Sequence, residues 1–174
     1  LITTVAFEES GKHRPLKVAT TAIAKGDDIV INGDKQFVLD GHAANMLIVS
    51  ARTDNGIQLF LVPSDTEGVH IKRRTMMDSR NAADITFDNV AIPVTARLGD
   101  DTDASAHLEG ALDIARVCLS AEMLGSMQEA FERTVAYMKE RQQFGVLIGT
   151  FQGLQHRAAH MFCEIEICKG IVLA

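Results

Sequence analysis

The sequence predicts an α+β protein in which an antiparallel β-barrel precedes a long antiparallel helical hairpin, half of a four-helix bundle. Short β-rich runs separated by turn residues fill the stretch from Lys17 to about Asp88. From about Ser105 onward, apolar residues recur every three or four positions instead. The period changes across residues 93–103, so we predict a domain boundary there.

The first half predicts about six or seven strands whose ends are marked by turn residues. Turn signals occur at Gly26-Asp27, Asn32-Gly33 and Asn55-Gly56, and Asn-Gly pairs supply the positive φ angles that tight hairpin turns require. The predicted strands lie at residues 17–24, 29–31, 45–52, 57–62, 69–73 and 83–87, with a further strand segment at residues 1–5. Their even spacing is typical of a barrel or sandwich.

The second half predicts two helices joined by a short connection. The first spans about 105–141 and would be ~55 Å long, more than a compact domain of this size normally holds. The second begins at Thr150, a good N-cap residue. It carries Ile167 and Ile171 outside the seam that faces the first helix. Because two antiparallel helices bury one side of each, we predict that further helices complete the bundle.

Composition and charge exclude several classes of function. The net charge is −6 and no basic stripe is present, which argues against a nucleic-acid partner. No run approaches the ~18 apolar residues that a membrane-spanning helix requires. Residues 1–5 lack the flanks of a signal peptide. The three cysteines form neither an even disulfide set nor a C-x-x-C pair. We therefore expect a cytoplasmic protein without nucleic-acid or membrane partners.

His156, His160 and Cys163 are spaced so that they share one side of a helix. The adjacent Glu of a His-Glu-x-x-His motif is missing, and no fourth ligand is evident. We predict no metal site, and interpret the histidines as core or partner-facing residues.

The junction between the predicted helices carries side chains suited to a dinucleotide. It runs Arg141-Gln142-Gln143-Phe144-Gly145, and Gln152 follows after six residues. A guanidinium suits a pyrophosphate, a phenyl ring can pack on adenine or ribose, and a glutamine near a helix N-terminus can donate to an anion. The alternatives are a solvated helix-end cation, a plain loop anchor and a first-turn polar residue.

This junction resembles the flavin-binding signature of acyl-CoA dehydrogenases, and residues 59–69, 80–93 and 121–134 resemble other parts of that family in the same order. The resemblance implies a middle β-barrel domain at residues 1–98 and the first part of the C-terminal helical domain at residues 104–174. It also implies FAD as cofactor and α,β-dehydrogenation of an acyl-CoA thioester, with proton abstraction and hydride transfer to the flavin.

The resemblance further implies roles for individual residues. The ADP part of an FAD held mainly by a neighbouring subunit would contact Arg141, Gln143, Phe144 and Gln152, so a homo-oligomer, dimer or tetramer, is expected. The acyl-CoA tunnel would lie near Met138, Lys139, Glu140 and Arg141. The family's Trp-Ile-Thr beside the flavin ring corresponds to Phe37, Val38 and Leu39. Electrons would pass to electron-transfer flavoprotein or a similar acceptor.

The chain also departs from the family pattern. Residues 6–12 match the Thr-Glu-Pro-Gly-x-Gly-Ser-Asp segment of many members poorly, and Leu39 lacks a hydroxyl. Ala115 stands where a minority of the family carries its catalytic Glu, whereas Glu109 and Glu122 suit ordinary surface carboxylates. The catalytic residue is therefore unknown. The alternatives are a non-catalytic assembly subunit and a flavin oxidase or monooxygenase of the same fold.

Overall fold

The computed structural model describes residues 1–78, 80–100 and 102–173. They divide into two compact units, one spanning Leu1–Glu109 and one beginning at Gly110. The first unit contains the sheet and the second consists mainly of helix. The predicted α+β class is therefore confirmed.

Within the described residues, eight strands of the first unit form one sheet. They are β1 (Thr3–Ala6), β2 (Thr21–Lys25), β3 (Asp28–Leu39), β4 (Met46–Thr53), β5 (Gly56–Pro63), β6 (Val69–Thr75), β7 (Asn81–Pro93) and β8 (Arg97–Leu98). Their order is β6-β7-β3-β2-β4-β5-β8, and β1 pairs with β4.

The sheet is mixed and, across the described residues, is not closed into a barrel by hydrogen bonds. Most pairings are antiparallel, but β1 lies parallel to β4, and a single parallel pair, Thr21 with Arg52, joins β2 to β4. The two edge strands do not pair with each other: β6 pairs with β7, and β8 is a two-residue strand on β5. The barrel prediction therefore gives the right class, although the sheet stays open.

Alternate side chains of the strands form the core of this unit. In β4, Leu47, Val49 and Ala51 are buried, and in β5 the buried apolar residues include Phe60 and Val62. Successive side chains of a strand point to opposite faces, so these residues share the inner face of the sheet. The alternation of apolar and polar residues, from which these strands were predicted, reflects this one-sided burial.

The predicted turn at Asn32-Gly33 is wrong, because β3 continues through it. Gly33 has a φ of 146°, and a Cβ there would lie 2.5 Å from Oγ1 of Thr20. The glycine therefore permits a close approach between two segments, and the pairing with β7 shifts register at this point. By contrast, Gly26 and Gly56 have φ angles of 65° and 105° and lie at the β2–β3 and β4–β5 hairpin turns, as predicted.

The two predicted helices are present. Helix α1 spans Ser105–Glu140, and α2 spans Gln152–Val172. Two short strands, β9 (Gln142–Gln143) and β10 (Val146–Leu147), reverse the chain between them. The rings of Phe131 and Phe162 lie 6.1 Å apart and join the helices as an antiparallel hairpin.

The start predicted for α2 is wrong by one position. Thr150 belongs to a 3-10 turn that spans Ile148–Thr150, and its hydroxyl donates to the carbonyl of Leu147 at 2.7 Å. The hydroxyl is therefore directed backward instead of capping the helix. The N-cap residue is Phe151, which has no side chain for that role.

Much of the apolar surface of the helices is exposed. Leu108 and Ile165 are buried. In contrast, more than half of the side-chain surface of Leu119, Met123 and Ile171 is accessible. Additional helices of the predicted bundle would cover such side chains. Within the described residues, no helix is long and apolar enough to cross a membrane, and all three cysteines are free.

Candidate cofactor site

The bend of the helical hairpin presents a phenyl ring on a tight turn. Gln143 pairs with Val146, so Phe144 and Gly145 form a two-residue turn, with φ angles of 54° and 78°. Positive φ at both positions is characteristic of a type I′ turn, in which a bulky residue is uncommon. Phe144 is 93% exposed, and its ring makes an edge contact with Phe151 at 6.2 Å.

Arg141 and Gln152 lie at the two ends of this bend. The amide of Arg141 donates to Tyr137, and its carbonyl accepts the amide of Ile148 at 2.8 Å, so its backbone is fixed. Among the described residues, no carboxylate pairs with its exposed guanidinium. Gln152 is the first residue of α2, and its exposed side chain makes no hydrogen bond within the described part of the chain. Gln152 therefore lies at the positive end of the α2 dipole, where an anion is favoured, and Arg141 offers a guanidinium that can bind an anion.

The other predicted residues of the bend differ in how much they are engaged. The side-chain amide of Gln143 donates to the carbonyl of Gln142 at 2.8 Å. Met138 is half-buried, whereas Lys139 and Glu140 are exposed in the last turn of α1. A Cβ at Gly149 would lie 2.8 Å from the carbonyl oxygen of Met138, so a glycine allows the two sides of the bend to approach.

Phe37, Val38 and Leu39 belong to the first unit, where they end β3. Lys35 pairs with Ile85 and Val38 with Ala83, so Gln36 and Phe37 together face Asp84 as a β-bulge. Val38 is 2% exposed, whereas Leu39 is 59% exposed and its carbonyl accepts the hydroxyl of Thr4 at 2.6 Å.

The bulge places Phe37 in an unusual backbone conformation with two polar neighbours. Its φ is 53°, and its amide donates to Oδ1 of Asp84 at 3.4 Å. Nε of Arg74 lies 2.7 Å from both carboxylate oxygens of Asp84. The guanidinium carbon of Arg74 lies 4.1 Å from the centre of the Phe37 ring. The sequence did not identify Arg74 as a neighbour of Phe37. Its contact with Asp84 depends on how β6 pairs with β7, which the sequence alone does not show.

The segment after β1 contains two carboxylates with separate partners. Glu8 contacts Nδ1 of His13 at 2.5 Å and accepts the amide of Arg14. Glu9 accepts the amides of residues 19 and 20 and the ammonium of Lys35 at 2.7 Å. The two adjacent carboxylates therefore have different partners and do not share one site.

The Glu9–Lys35 pair perturbs the ionisation of both groups. Burial raises the pKa of Glu9, but hydrogen bonds from Lys35, Thr20 and Ala19 outweigh it and hold that pKa below its ordinary value. Burial lowers the pKa of Lys35, and contact with Glu9 offsets this only in part. The pair therefore stabilises the interior of the sheet, where Lys35 also donates to the hydroxyl of Ser50.

None of the three α1 positions considered in the sequence is assigned as the base for proton abstraction. Ala115 is exposed on α1, Glu122 is also exposed, and Glu109 is half-buried. The question of a metal site concerns His156, His160 and Cys163 on α2. Among the described residues, no group of three or more His, Cys, Asp or Glu side chains could hold a metal ion. Nδ1 of His160 lies 3.6 Å from the carboxylate of Glu164, one turn further along the helix.

Two family models match this chain. The model described as acyl-CoA dehydrogenase, middle domain, matches residues 4–90, and that described as acyl-CoA dehydrogenase, C-terminal domain, matches residues 106–174. The chain belongs to the acyl-CoA dehydrogenase family. A short/branched chain specific acyl-CoA dehydrogenase, mitochondrial, from Bos taurus is 37% identical over 158 residues, covering 86% of this chain and 37% of the relative.

Solved structures similar to this chain have the same fold. A glutaryl-CoA dehydrogenase from Mycobacterium smegmatis, in complex with FADH2, superimposes with a TM-score of 0.92 at 28% identity, covering 98% of this chain and 45% of that one. A structure described as the electron transferring flavoprotein of Acidaminococcus fermentans gives a TM-score of 0.90 at 30% identity, covering 98% and 47%. This chain spans less than half the length of these similar proteins.

Proposed function

We propose that this chain forms part of an FAD-dependent acyl-CoA dehydrogenase that introduces an α,β double bond into an acyl-CoA thioester. The proposal rests on the side chains at the bend of the helical hairpin, in a chain that belongs to the acyl-CoA dehydrogenase family. There Phe144 is almost fully exposed at a positive φ, and Arg141 and Gln152 present polar groups with no partner among the described residues. A pyrophosphate attached to adenosine satisfies all three side chains.

In this proposal each unit contributes residues that contact FAD. Arg141, Gln143, Phe144 and Gln152 contact the ADP portion of FAD held mainly by a neighbouring subunit. Phe37, Val38 and Leu39 lie beside the flavin ring, and residues 138–141 lie near the acyl-CoA. When bound, FAD supplies the acceptor for the hydride that leaves the β-carbon. We propose that the residues of the bend and residues 138–141 belong to a C-terminal domain at residues 104–174. Phe37, Val38 and Leu39 belong to a middle domain at residues 1–98.

The proton on the α-carbon needs a carboxylate close to the substrate. Ala115 has no group that could accept it, and we assign this role to no residue of the chain. The contribution of residues 1–174 is therefore to bind and orient the cofactor and the substrate.

We further propose a homo-oligomer, dimer or tetramer, with electrons passing to electron-transfer flavoprotein or a similar acceptor. The oligomer follows from the proposed role of the bend, because Arg141, Gln143, Phe144 and Gln152 would contact an FAD held mainly by a neighbouring subunit. The likeness to the flavoprotein from Acidaminococcus fermentans supports a flavin-based acceptor. The cytoplasmic location remains a prediction from the sequence.

Flavin binding by the full-length protein tests the proposal. The purified protein is expected to carry the visible absorbance of bound flavin and to reduce it when an acyl-CoA is added. Arg141→Gln is expected to weaken FAD binding about tenfold or more, because it removes a charge-assisted contact. Arg157→Gln, which removes an exposed arginine further along α2, is the matched control and should bind FAD as the wild type does.

Three outcomes would contradict the proposal. A wild-type protein that binds no flavin supports the alternative of a non-catalytic assembly subunit. A reduced flavin that reacts rapidly with oxygen supports an oxidase or monooxygenase. Equal FAD affinities for Arg141→Gln and Arg157→Gln would show that the bend does not contact the cofactor.

A further inference from the structure

We infer that Arg74 and Asp84 are positioning residues that fix the Phe37 bulge and thereby the orientation of the Phe37 ring toward the bound flavin. The inference rests on the proposed function, because it assigns the flavin ring to the neighbourhood of Phe37. It goes further by naming two residues, on β6 and β7, that the proposed site does not include.

The backbone of Phe37 requires support from its surroundings. Its φ of 53° is a left-handed conformation that residues with a bulky side chain seldom adopt. Such a conformation persists when neighbouring contacts determine it. The amide before it, that of Gln36, donates to the carbonyl of Glu8 at 2.7 Å, and the amide of Phe37 donates to Asp84. Both amides of the bulge therefore have acceptors.

Asp84 connects the backbone of the bulge to the ring of Phe37. Its Oδ1 accepts the Phe37 amide at 3.4 Å, and both of its oxygens accept Nε of Arg74 at 2.7 Å. The guanidinium held in this way lies 4.1 Å from the Phe37 ring centre, within the range of a cation–π contact. One carboxylate thus fixes the main chain directly and the ring through Arg74.

An ordinary surface ion pair would lack these additional contacts. The side chains of Arg74 and Asp84 are 35% and 30% exposed, so the pair is partly shielded from solvent. Phe37 itself is 37% exposed although the guanidinium lies over its ring. The ring therefore keeps surface on which a flat aromatic ligand can pack, while Arg74 restricts its rotation.

The neighbouring Arg73 provides a matched control for Arg74. Arg73 is exposed and lies on the face of β6 opposite to Arg74. It donates to Oδ1 of Asn81 at 3.3 Å. An Arg73→Met variant loses the same charge from the same strand. It leaves the contacts of Phe37 intact.

The test uses the full-length protein and two measurements. Hydrogen–deuterium exchange by mass spectrometry reports on the amides of residues 36–39, and titration with FAD gives its dissociation constant and the spectrum of the bound flavin. We expect Arg74→Met to speed exchange of these amides, to raise the dissociation constant about two- to fivefold and to alter the flavin spectrum. Arg73→Met should change none of these. Arg74→Lys, which keeps the cation, should lie between Arg74→Met and the wild type.

A double variant separates a positioning role from general destabilisation. In a Phe37→Leu protein, Arg74→Met should cause no further change in FAD affinity, because the ring on which it acts is absent. Additive effects in the double variant would overturn the inference. The inference also fails if Arg74→Met speeds exchange but leaves FAD affinity and spectrum unchanged. A wild-type protein that binds no flavin overturns the proposed function as well, whereas equal behaviour of Arg74→Met and Arg73→Met overturns this inference alone.

Discussion

The ion pair inside the sheet allows a quantitative prediction of stability. The side chain of Lys35 is 0% exposed, and its ammonium donates to Glu9 at 2.7 Å and to the hydroxyl of Ser50 at 3.0 Å. Glu9→Gln removes the carboxylate that contacts this ammonium and leaves the ammonium inside the sheet with neutral acceptors. We expect the free energy of unfolding to fall by about 3–5 kcal/mol, the usual loss when one member of a buried ion pair is removed.

The reverse change should be milder. In Lys35→Met, Glu9 is 13% exposed and still accepts the amides of Ala19 and Thr20, so its charge remains solvated by the protein. We expect a loss of roughly 1–3 kcal/mol. The double variant should be less destabilised than the sum of the two single variants, because neither charge remains unpaired.

The pH dependence of stability gives the sign of each contribution. The pKa of Glu9 is lowered in the folded wild type, so its stabilisation is present above the ordinary Glu pKa and is lost as pH falls through the lowered value. In Glu9→Gln, Lys35 loses the contact that raises its pKa, and burial lowers that pKa further. The unfolded chain then binds more protons than the folded one, so the variant should gain stability as pH rises toward the ordinary Lys pKa.

Urea denaturation of the full-length protein, followed by far-UV circular dichroism at several pH values, measures these quantities. A Glu9→Gln protein within about 1 kcal/mol of the wild type at neutral pH would contradict the stabilising role of the pair, because this loss is well below the range for a broken buried pair. A Glu9→Gln protein that is no more stable in mildly alkaline solution than at neutral pH would contradict the lowered pKa of Lys35.

Two further predictions concern Gly33 and Asp103. Gly33→Ala should lower the free energy of unfolding by more than ~2 kcal/mol, because the φ of Gly33 is 146° and the new Cβ would overlap Thr20. Gly125→Ala is the control: a Cβ there meets nothing within 4 Å on α1, so this variant should instead be more stable by up to ~1 kcal/mol. The same denaturation assay measures both, and equal effects would contradict the close-approach explanation. Asp103→Ala should speed hydrogen exchange in the first turn of α1, since Asp103 accepts the Ser105 hydroxyl and amide. The Ser105 hydroxyl holds the pKa of Asp103 below its ordinary value, so variant and wild type should converge as pH falls through that lowered pKa; a difference that persists in acid would contradict this.

The sequence predicted those elements whose signals are local. Helix α1 was predicted to within one residue at its end, because apolar residues recur along its whole length. The Asn55-Gly56 turn was predicted because both of its strands are adjacent in the chain. The same dipeptide at Asn32-Gly33 misled the prediction, since the glycine is required by Thr20, which belongs to another segment. The openness of the sheet likewise depends on long-range pairings.

The candidate site divides along the same line. The residues of the bend follow one another closely, so their chemistry was visible as a motif around Arg141. The Phe37 bulge was matched by family resemblance, but its conformation was not predicted. Arg74 and Asp84 are ten residues apart and on different strands, and the pairing of β7 with both β3 and β6 brings them to Phe37. Contacts of this kind depend on pairing, which a single sequence does not specify.

The two-residue turn at Phe144 has a consequence for the choice of residue there. Asparagine or glycine adopts a positive φ with far less strain than phenylalanine, so a turn selected for folding alone would favour one of them. The protein instead keeps a large aromatic side chain almost fully in water, where it contributes little burial. On the proposed function, folding and FAD binding favour different amino acids at this position, so a substitution that relieves the turn is expected to weaken FAD binding.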